Sequence, residues 1–201
     1  MKKIPTLFKR EFENHRVVKV LPEVTEGLEW VLEDEDVYPT IKIDGSCCAI
    51  IDGNFYKRYD NKKGKEPPKD SIRCQEEPDP VTGHWPFFVP VDENNPADKW
   101  FIKALFNATF NANVNKIDLE DGTFEAVGKH FNGNPYNLND DIIVRHGRRV
   151  IFGLDRSFEG IKKFLEETEE EGIVFWKKET PICKIKRSDF GFEWPIKKVI
   201  K

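Results

Sequence analysis

Lys42-Ile43-Asp44-Gly45 places a primary amine two residues before a carboxylate and three before a glycine. A lysine side chain can attack phosphorus only as the neutral amine. Its ammonium must therefore shed a proton, or a bound cation must hold the amine neutral. Asp44 is a candidate ligand for such a cation. Gly45 reads as the residue that permits a tight turn and lets the backbone approach a phosphate. The tetrapeptide alone is short enough to arise by chance. Four further segments follow it in order. Lys57-Arg58 supplies cations. Phe124-Glu125-Ala126-Val127-Gly128 carries a lone carboxylate in a strand-like run. Glu171-Gly172-Ile173-Val174-Phe175 opens another such run with an acid. Lys184-Ile185-Lys186 sets two lysines on one face of a strand, because strand side chains repeat every two residues.

These residues need elements to hold them. Short β-type runs are expected at Tyr38–Ile43, Cys47–Ile51, Asn54–Tyr59, Thr123–Val127, Ile142–Arg145, Val150–Phe152, Gly172–Trp176 and Pro181–Ile185. Asp52-Gly53 between the second and third is a hairpin signal. Glu26–Glu33 reads as a short helix with Thr25 as its cap and Leu28, Val31 and Leu32 inward. Ala97–Phe110 reads as a helix entered at Pro96, with Trp100, Phe101, Ala104, Leu105 and Ala108 sharing a face. Ser157–Glu170 is the clearest helix. Phe158, Ile161, Leu165 and Thr168 share its apolar face, and its glutamates read as a solvated surface. Residues 62–96 are rich in Pro, Gly and charge but carry Trp85, Phe87 and Phe88. They read as an inserted loop that packs down. Short strands and few helices predict an α+β fold on mainly antiparallel sheets.

At 201 residues, with 38% hydrophobic and 34% charged residues, the chain can bury one core. No run approaches the roughly 20 apolar residues of a membrane helix, and Met1-Lys2-Lys3-Ile4-Pro5 lacks the apolar stretch of a signal peptide. The four cysteines form no C-x-x-C pair and read as free thiols, with Cys47 and Cys48 on opposite faces of one strand. A reducing, cytoplasmic setting and a monomer without membrane partners are the expectation. The histidines show no ligand spacing, so a structural zinc site is not expected. A net charge of −4 is no footprint of a general polyanion binder. Basic residues nevertheless cluster at Lys62-Lys63-Gly64-Lys65, Arg145 with Arg148-Arg149, Lys177-Lys178, Lys186-Arg187 and Lys197-Lys198.

The five segments, in this order, resemble the covalent nucleotidyltransferase superfamily of polynucleotide ligases and RNA capping enzymes: K-x-D-G, a following basic residue, a glutamate strand, E-G-hydrophobic and K-x-K. A nearer resemblance is to the vertebrate-type ATP-dependent 5′–3′ RNA ligase family. It is carried by Lys42-Ile43-Asp44-Gly45-Ser46-Cys47-Cys48, Gly83–Val91, Asn132-Gly133-Asn134-Pro135-Tyr136, the stretch Ile142–Gly147, and Cys183–Lys186 followed by Trp194-Pro195. It covers about Tyr38 to Pro195. Ile41 departs from the family, which has a glutamate before the lysine.

The resemblance implies an adenylyltransferase fold, with two mainly antiparallel sheets flanking a nucleotide cleft. Residues 1–201 would form a single nucleotidyltransferase domain with an insertion at about 60–96. It implies that Lys42 attacks the α-phosphorus of ATP to give lysine-AMP. Lys184 and Lys186 would hold the α-phosphate and offset charge. Ile41, Arg58, Glu125 and Glu171 would join these lysines in binding the nucleotide. Asp44, Glu125 and Glu171 would surround Mg2+ or Mn2+, although Glu125 could equally bind the ribose hydroxyls. Arg58 would contact ribose, phosphate or the RNA 5′-phosphate, with Lys57 competing for that part. The partner would be RNA with 5′-phosphate and 3′-hydroxyl ends. His146 is given no role beyond a structural hydrogen bond. An mRNA guanylyltransferase or a DNA ligase is the alternative enzyme, but both append an OB-type domain and the sequence ends soon after Lys186. A nucleotide- or RNA-binding module without catalysis is the alternative outside enzymes.

Overall fold

A computed structural model describes residues 1–14, 16–110 and 119–196. In chain order its regular elements are β1 (Phe8–Glu13), β2 (Arg16–Val24), β3 (Val37–Lys42), β4 (Ser46–Ile51), β5 (Asn54–Asn61), β6 (Ile72–Arg73), β7 (Trp85–Pro90), α1 (Lys99–Phe110), β8 (Gly122–Val127), β9 (Ile142–Arg145), α2 (Phe158–Glu167), β10 (Gly172–Lys177) and β11 (Thr180–Lys186). The fold is α+β, with antiparallel sheets and few helices, as the sequence predicts. Two compact units divide it: residues 1–3 with 44–146, and residues 4–43 with 147–201.

The first unit is built on a six-stranded sheet in the order β6-β7-β5-β4-β8-β9, every pair antiparallel. Asp52 and Gly53 turn β4 into β5 with φ of +49° and +72°, the left-handed pair that a two-residue hairpin of matching twist requires. The Asp121 carboxylate accepts both of their amides, at 2.7 and 3.1 Å. Strand alternation then splits the sheet. Cys48, Phe124, Ala126 and Ile143 are buried in a cluster with Ala104 and Ala108 of α1. Cys47 and Glu125 are register partners on the opposite face.

The second unit holds a three-stranded sheet, β11-β10-β3, and the β1-β2 pair. Residue Thr6 bridges to Lys184, which extends β11 on its free side. Ile173 and Ile185 face a core of Leu7, Phe8, Val31, Val37, Ile161 and Leu165. Ser157 caps α2 by accepting from the Gly160 amide at 3.0 Å, and Ile161 and Leu165, four apart, are buried.

Several expectations need correction. Glu26–Glu33 forms only a 3-10 turn at Glu29–Val31. Gly27 sits at φ +80°, which breaks a first helical turn, and the Thr25 hydroxyl donates to Thr6 O at 2.7 Å instead of capping. Val150–Phe152 is not a strand. Val150 makes one bridge to Thr40, and Phe152 is exposed. Residues 62–96 are not loop throughout, since β6 and β7 extend the six-stranded sheet and Phe87 and Phe88 are buried. The helix entered at Pro96 begins as a 3-10 turn capped by Asn95, with α1 proper starting at Lys99. His15 and the Lys197-Lys198 pair lie outside the described residues.

Candidate functional site

Gly172, the first residue of the central strand β10, is opposed by Lys42 on one side and Lys186 on the other. All three positions therefore lie on one face, two residues along from Thr40, Val174 and Lys184. Ile41 pairs with Ile173 and presents its side chain to the other face, while its amide donates to Arg149 O at 2.9 Å. Gly172 has a physical reason to lack a side chain: a Cβ would run into Ile185 O and meet Lys186 Cα at 3.0 Å. The close approach is to β11, and the residue before Gly172, Glu171, reaches a lysine on each neighbouring strand.

Glu171 is buried and holds two amines. Its Oε2 lies 2.5 Å from Lys42 Nζ and its Oε1 3.0 Å from Lys186 Nζ. Lys184 forms no ion pair among the described residues. Burial above all, then the neighbouring Lys186 and Lys42, pulls its ammonium down to about 8, against a smaller opposing pull from Glu171. Arg10 adds further positive charge nearby, itself anchored on buried Asp189 at 3.3 Å. Three lysines around one carboxylate leave a surplus of two positive charges. A half-buried lysine with no ion pair among the described residues is costly to keep charged, so the arrangement is suited to an anion with several oxygens.

The first unit carries the other predicted residues. Asp44 is fixed by the loop that follows β8. Its amide donates to Tyr136 Oη at 2.7 Å, and Asn132 Nδ2 donates to both Asp44 Oδ1 and Gly45 O at 2.8 Å. That loop is spelled by Asn and Gly because Asn132, Gly133, Asn134 and Asn137 all adopt positive φ. Gly45 itself is not in the left-handed region. It is needed because a Cβ would collide with Ala126 O and approach Val127 Cγ1 to 2.8 Å, so its role as a turn residue is replaced by close strand packing.

Glu125, buried on β8, receives His146 Nε2 at 2.8 Å, and His146 Nδ1 stands 3.0 Å from Thr123 Oγ1. Register and strand alternation put Arg58 on the Cys47 side of the sheet. Its Nε binds Asp60 at 3.0 Å and its Nη1 donates to Met1 O at 3.0 Å. Lys57 points to the opposite side and pairs with Asp98, which is buried. Burial, and then the Glu125 carboxylate, push the Cys47 thiol up to about 12, so it is no nucleophile at neutral pH.

The structure thus gathers Lys42, Glu171, Lys184 and Lys186 on one face of the second unit's sheet. Asp44, Arg58 and Glu125 belong to the first unit, and the unit boundary falls between Ile43 and Asp44. Sequence reasoning left Asn132 and Tyr136 as a turn with an open role, whereas they orient Asp44. Their signal was the Asn-Gly-Asn-Pro spelling, which announces a tight, positive-φ loop but not what it grips.

A family model described as RNA ligase 1 matches residues 67–200 of this chain. The chain belongs to the RNA ligase 1 family. The matched range takes in Glu125, Glu171, Lys184 and Lys186, while Lys42, Asp44 and Arg58 precede it. A protein named RNA ligase 1 from Pongo abelii is 26% identical, with 97% of this chain and 82% of the relative covered. Its namesake from Danio rerio is also 26% identical, with 78% and 68% covered. The one from Rattus norvegicus is 24% identical over 97% and 82%.

Proposed function

We propose that the chain is an ATP-dependent RNA ligase on a covalent nucleotidyltransferase fold, with Lys42 as the residue that carries adenylate. The observation that carries this reading is the Lys42–Glu171 pair, flanked by Lys186 and by a Lys184 that forms no ion pair among the described residues. Membership of the RNA ligase 1 family supports RNA as the polymer joined.

In the first step Lys42 Nζ gives its lone pair to the α-phosphorus of ATP. A P–N bond forms, the bond to the bridging oxygen breaks, and pyrophosphate leaves with that electron pair. Glu171 Oε2, 2.5 Å from Nζ, is within reach to take the amine's proton. Lys184 and Lys186 neutralise the non-bridging oxygens as charge builds, and fixed charges in a desolvated setting do this without reorganising. In the second step an RNA 5′-phosphate oxygen attacks the lysine-bound phosphorus and returns the amine to Lys42. In the third, a 3′-hydroxyl attacks the activated 5′-phosphate and AMP leaves. Arg58 presents a planar fork suited to ribose or phosphate oxygens. Oxygen donors of the kind found in Asp44, Glu125 and Glu171 suit magnesium or manganese, and these are the residues proposed to hold such an ion, which would supply charge neutralisation at the phosphates.

The test is incubation with α-labelled ATP and magnesium. Wild type acquires label that pyrophosphate removes, and Lys42→Ala acquires none. Joining of 5′-phosphorylated RNA exceeds joining of DNA, and ATP serves better than GTP. Label retained by Lys42→Ala refutes the nucleophile assignment. Preferential labelling by GTP points to a capping enzyme instead.

A further inference from the structure

We propose that Cys47, Glu125 and His146 form a binding site for zinc. The three residues come from β4, β8 and the turn just after β9, and their ligand atoms all lie within 4.8 Å of one another. Cross-strand register makes the first two neighbours, since Cys47 pairs directly with Glu125. His146 is brought in by a backbone bond to Thr123 O at 3.0 Å, and its Nε2 then stands 2.8 Å from Glu125 Oε2.

The donor set decides the metal. A thiolate, an imidazole and a carboxylate are the ligands zinc takes, while magnesium and calcium prefer oxygen alone. Ligand atoms around tetrahedral zinc stand roughly 3.3 to 3.6 Å apart, so small side-chain rotations close the set. Thr123 Oγ1 steadies the far nitrogen of the imidazole, as partners of zinc-bound histidines do. Three protein ligands leave a fourth position open. The charges also balance: thiolate and carboxylate together carry −2, and zinc brings the group to neutral, which suits a site that already has Arg58 within electrostatic reach of Cys47. As zinc binds, the Cys47 thiol releases its proton to solvent. The His146 Nε2 proton held against Glu125 is exchanged through solvent onto Nδ1, so the ring stays neutral, ligates through Nε2 and donates Nδ1–H to Thr123 Oγ1.

One consequence rests on the ligase reading. Glu125 is assigned there to nucleotide or magnesium, so zinc on the same carboxylate would inhibit adenylylation.

Cobalt is the probe. Titration of the full chain with Co2+ gives one equivalent bound, with sulfur-to-cobalt charge-transfer absorption that zinc abolishes. Cys47→Ser loses that absorption and Cys74→Ser keeps it, while His146→Gln weakens zinc binding by about tenfold or more. X-ray absorption at the zinc edge of the wild-type chain, which needs no variant to fold, shows one sulfur among nitrogen and oxygen ligands. Absence of the cobalt band in wild type, its persistence in Cys47→Ser, or a first shell without sulfur overturns the site. Zinc inhibition that is equal in wild type and Cys47→Ser overturns the inhibitory consequence. Failure of adenylylation with magnesium alone overturns the ligase reading and leaves the cobalt result to decide the zinc site.

Discussion

Lys184→Met separates what this lysine contributes to function from what it costs the fold. The residue lies opposite Val174 on β10 and is half-buried, and its ammonium is lowered to about 8 from the usual 10.5, first by burial. At about 1.4 kcal/mol per pH unit, that drop corresponds to about 3 kcal/mol of destabilisation whenever the folded chain must keep this group charged. The sign follows from proton binding. Between pH 8 and 10.5 the unfolded chain binds the proton that the folded chain has released, so stability rises with pH through this window. Below pH 8 both states are protonated and the full penalty applies. Above 10.5 both are neutral and it vanishes. Methionine keeps the length and apolar stem of the side chain and removes the charge, and Glu171 retains Lys42 and Lys186. Lys184→Met is therefore expected to be more stable than wild type by up to about 3 kcal/mol at pH 7, by about 2 at pH 9, and by less than about 0.5 at pH 10.5. Urea denaturation of both proteins from pH 7 to 10.5 measures this difference, and the pH dependence of groups remote from Lys184 cancels in it. The same variant loses on the order of 100-fold or more in adenylylation if the ammonium stabilises the transferring phosphate. A variant less stable than wild type at pH 7, or a gap that does not narrow toward pH 10.5, refutes the account of Lys184 as a charge held for an absent anion.

Other outcomes follow from single contacts. Lys57→Met takes the cation from buried Asp98, leaving it the Asp92 amide, and is expected to cost about 3 kcal/mol in urea denaturation; a loss under about 1 would show that Asp98 does not depend on this ion pair. Asn132→Ala removes the donor to Asp44 Oδ1 and Gly45 O, so adenylylation should fall by roughly 10-fold or more while stability changes by about 1 kcal/mol. Equal activity would detach that loop from Asp44's role. Gly45→Ala forces a Cβ onto Ala126 O and should destabilise by roughly 1–3 kcal/mol, read as a lowered Tm. A variant that melts with wild type would show that β4 and β8 can part there at no cost.

Much of the fold was legible because hydrophobic alternation and turn chemistry are local. The Asp52-Gly53 hairpin, α2 with its Ser157 cap and the apolar face of α1 could all be read from neighbouring residues. β1 and β2 were missed because their sequences, FKREFE and RVVKVLPEV, break alternation with charges and a proline, and their pairing carries register shifts. Exposed residues along β1 leave little apolar signal, and the strand exists because Leu7 and Phe8 anchor its start in the core. The cysteine–glutamate–histidine group was invisible for the opposite reason: its members are far apart in sequence, and only the β4-β8 register and the Thr123–His146 bond bring them together.

The lysine site shows how motif order turns into geometry. Lys42 and Lys186 lie far apart in sequence, yet both stand against Gly172, because β10 is the centre of its sheet and has one partner on each edge. A residue without a side chain lets β11 close in there, and the acid immediately before it reaches both amines. The Glu171-Gly172 pair is thus one device, in which the glycine sets the strand spacing and the glutamate uses it. Lys184, two residues from Lys186 on the same edge, is left over by this pairing, and its proton affinity is lowered first by burial and then by the neighbouring Lys186 and Lys42.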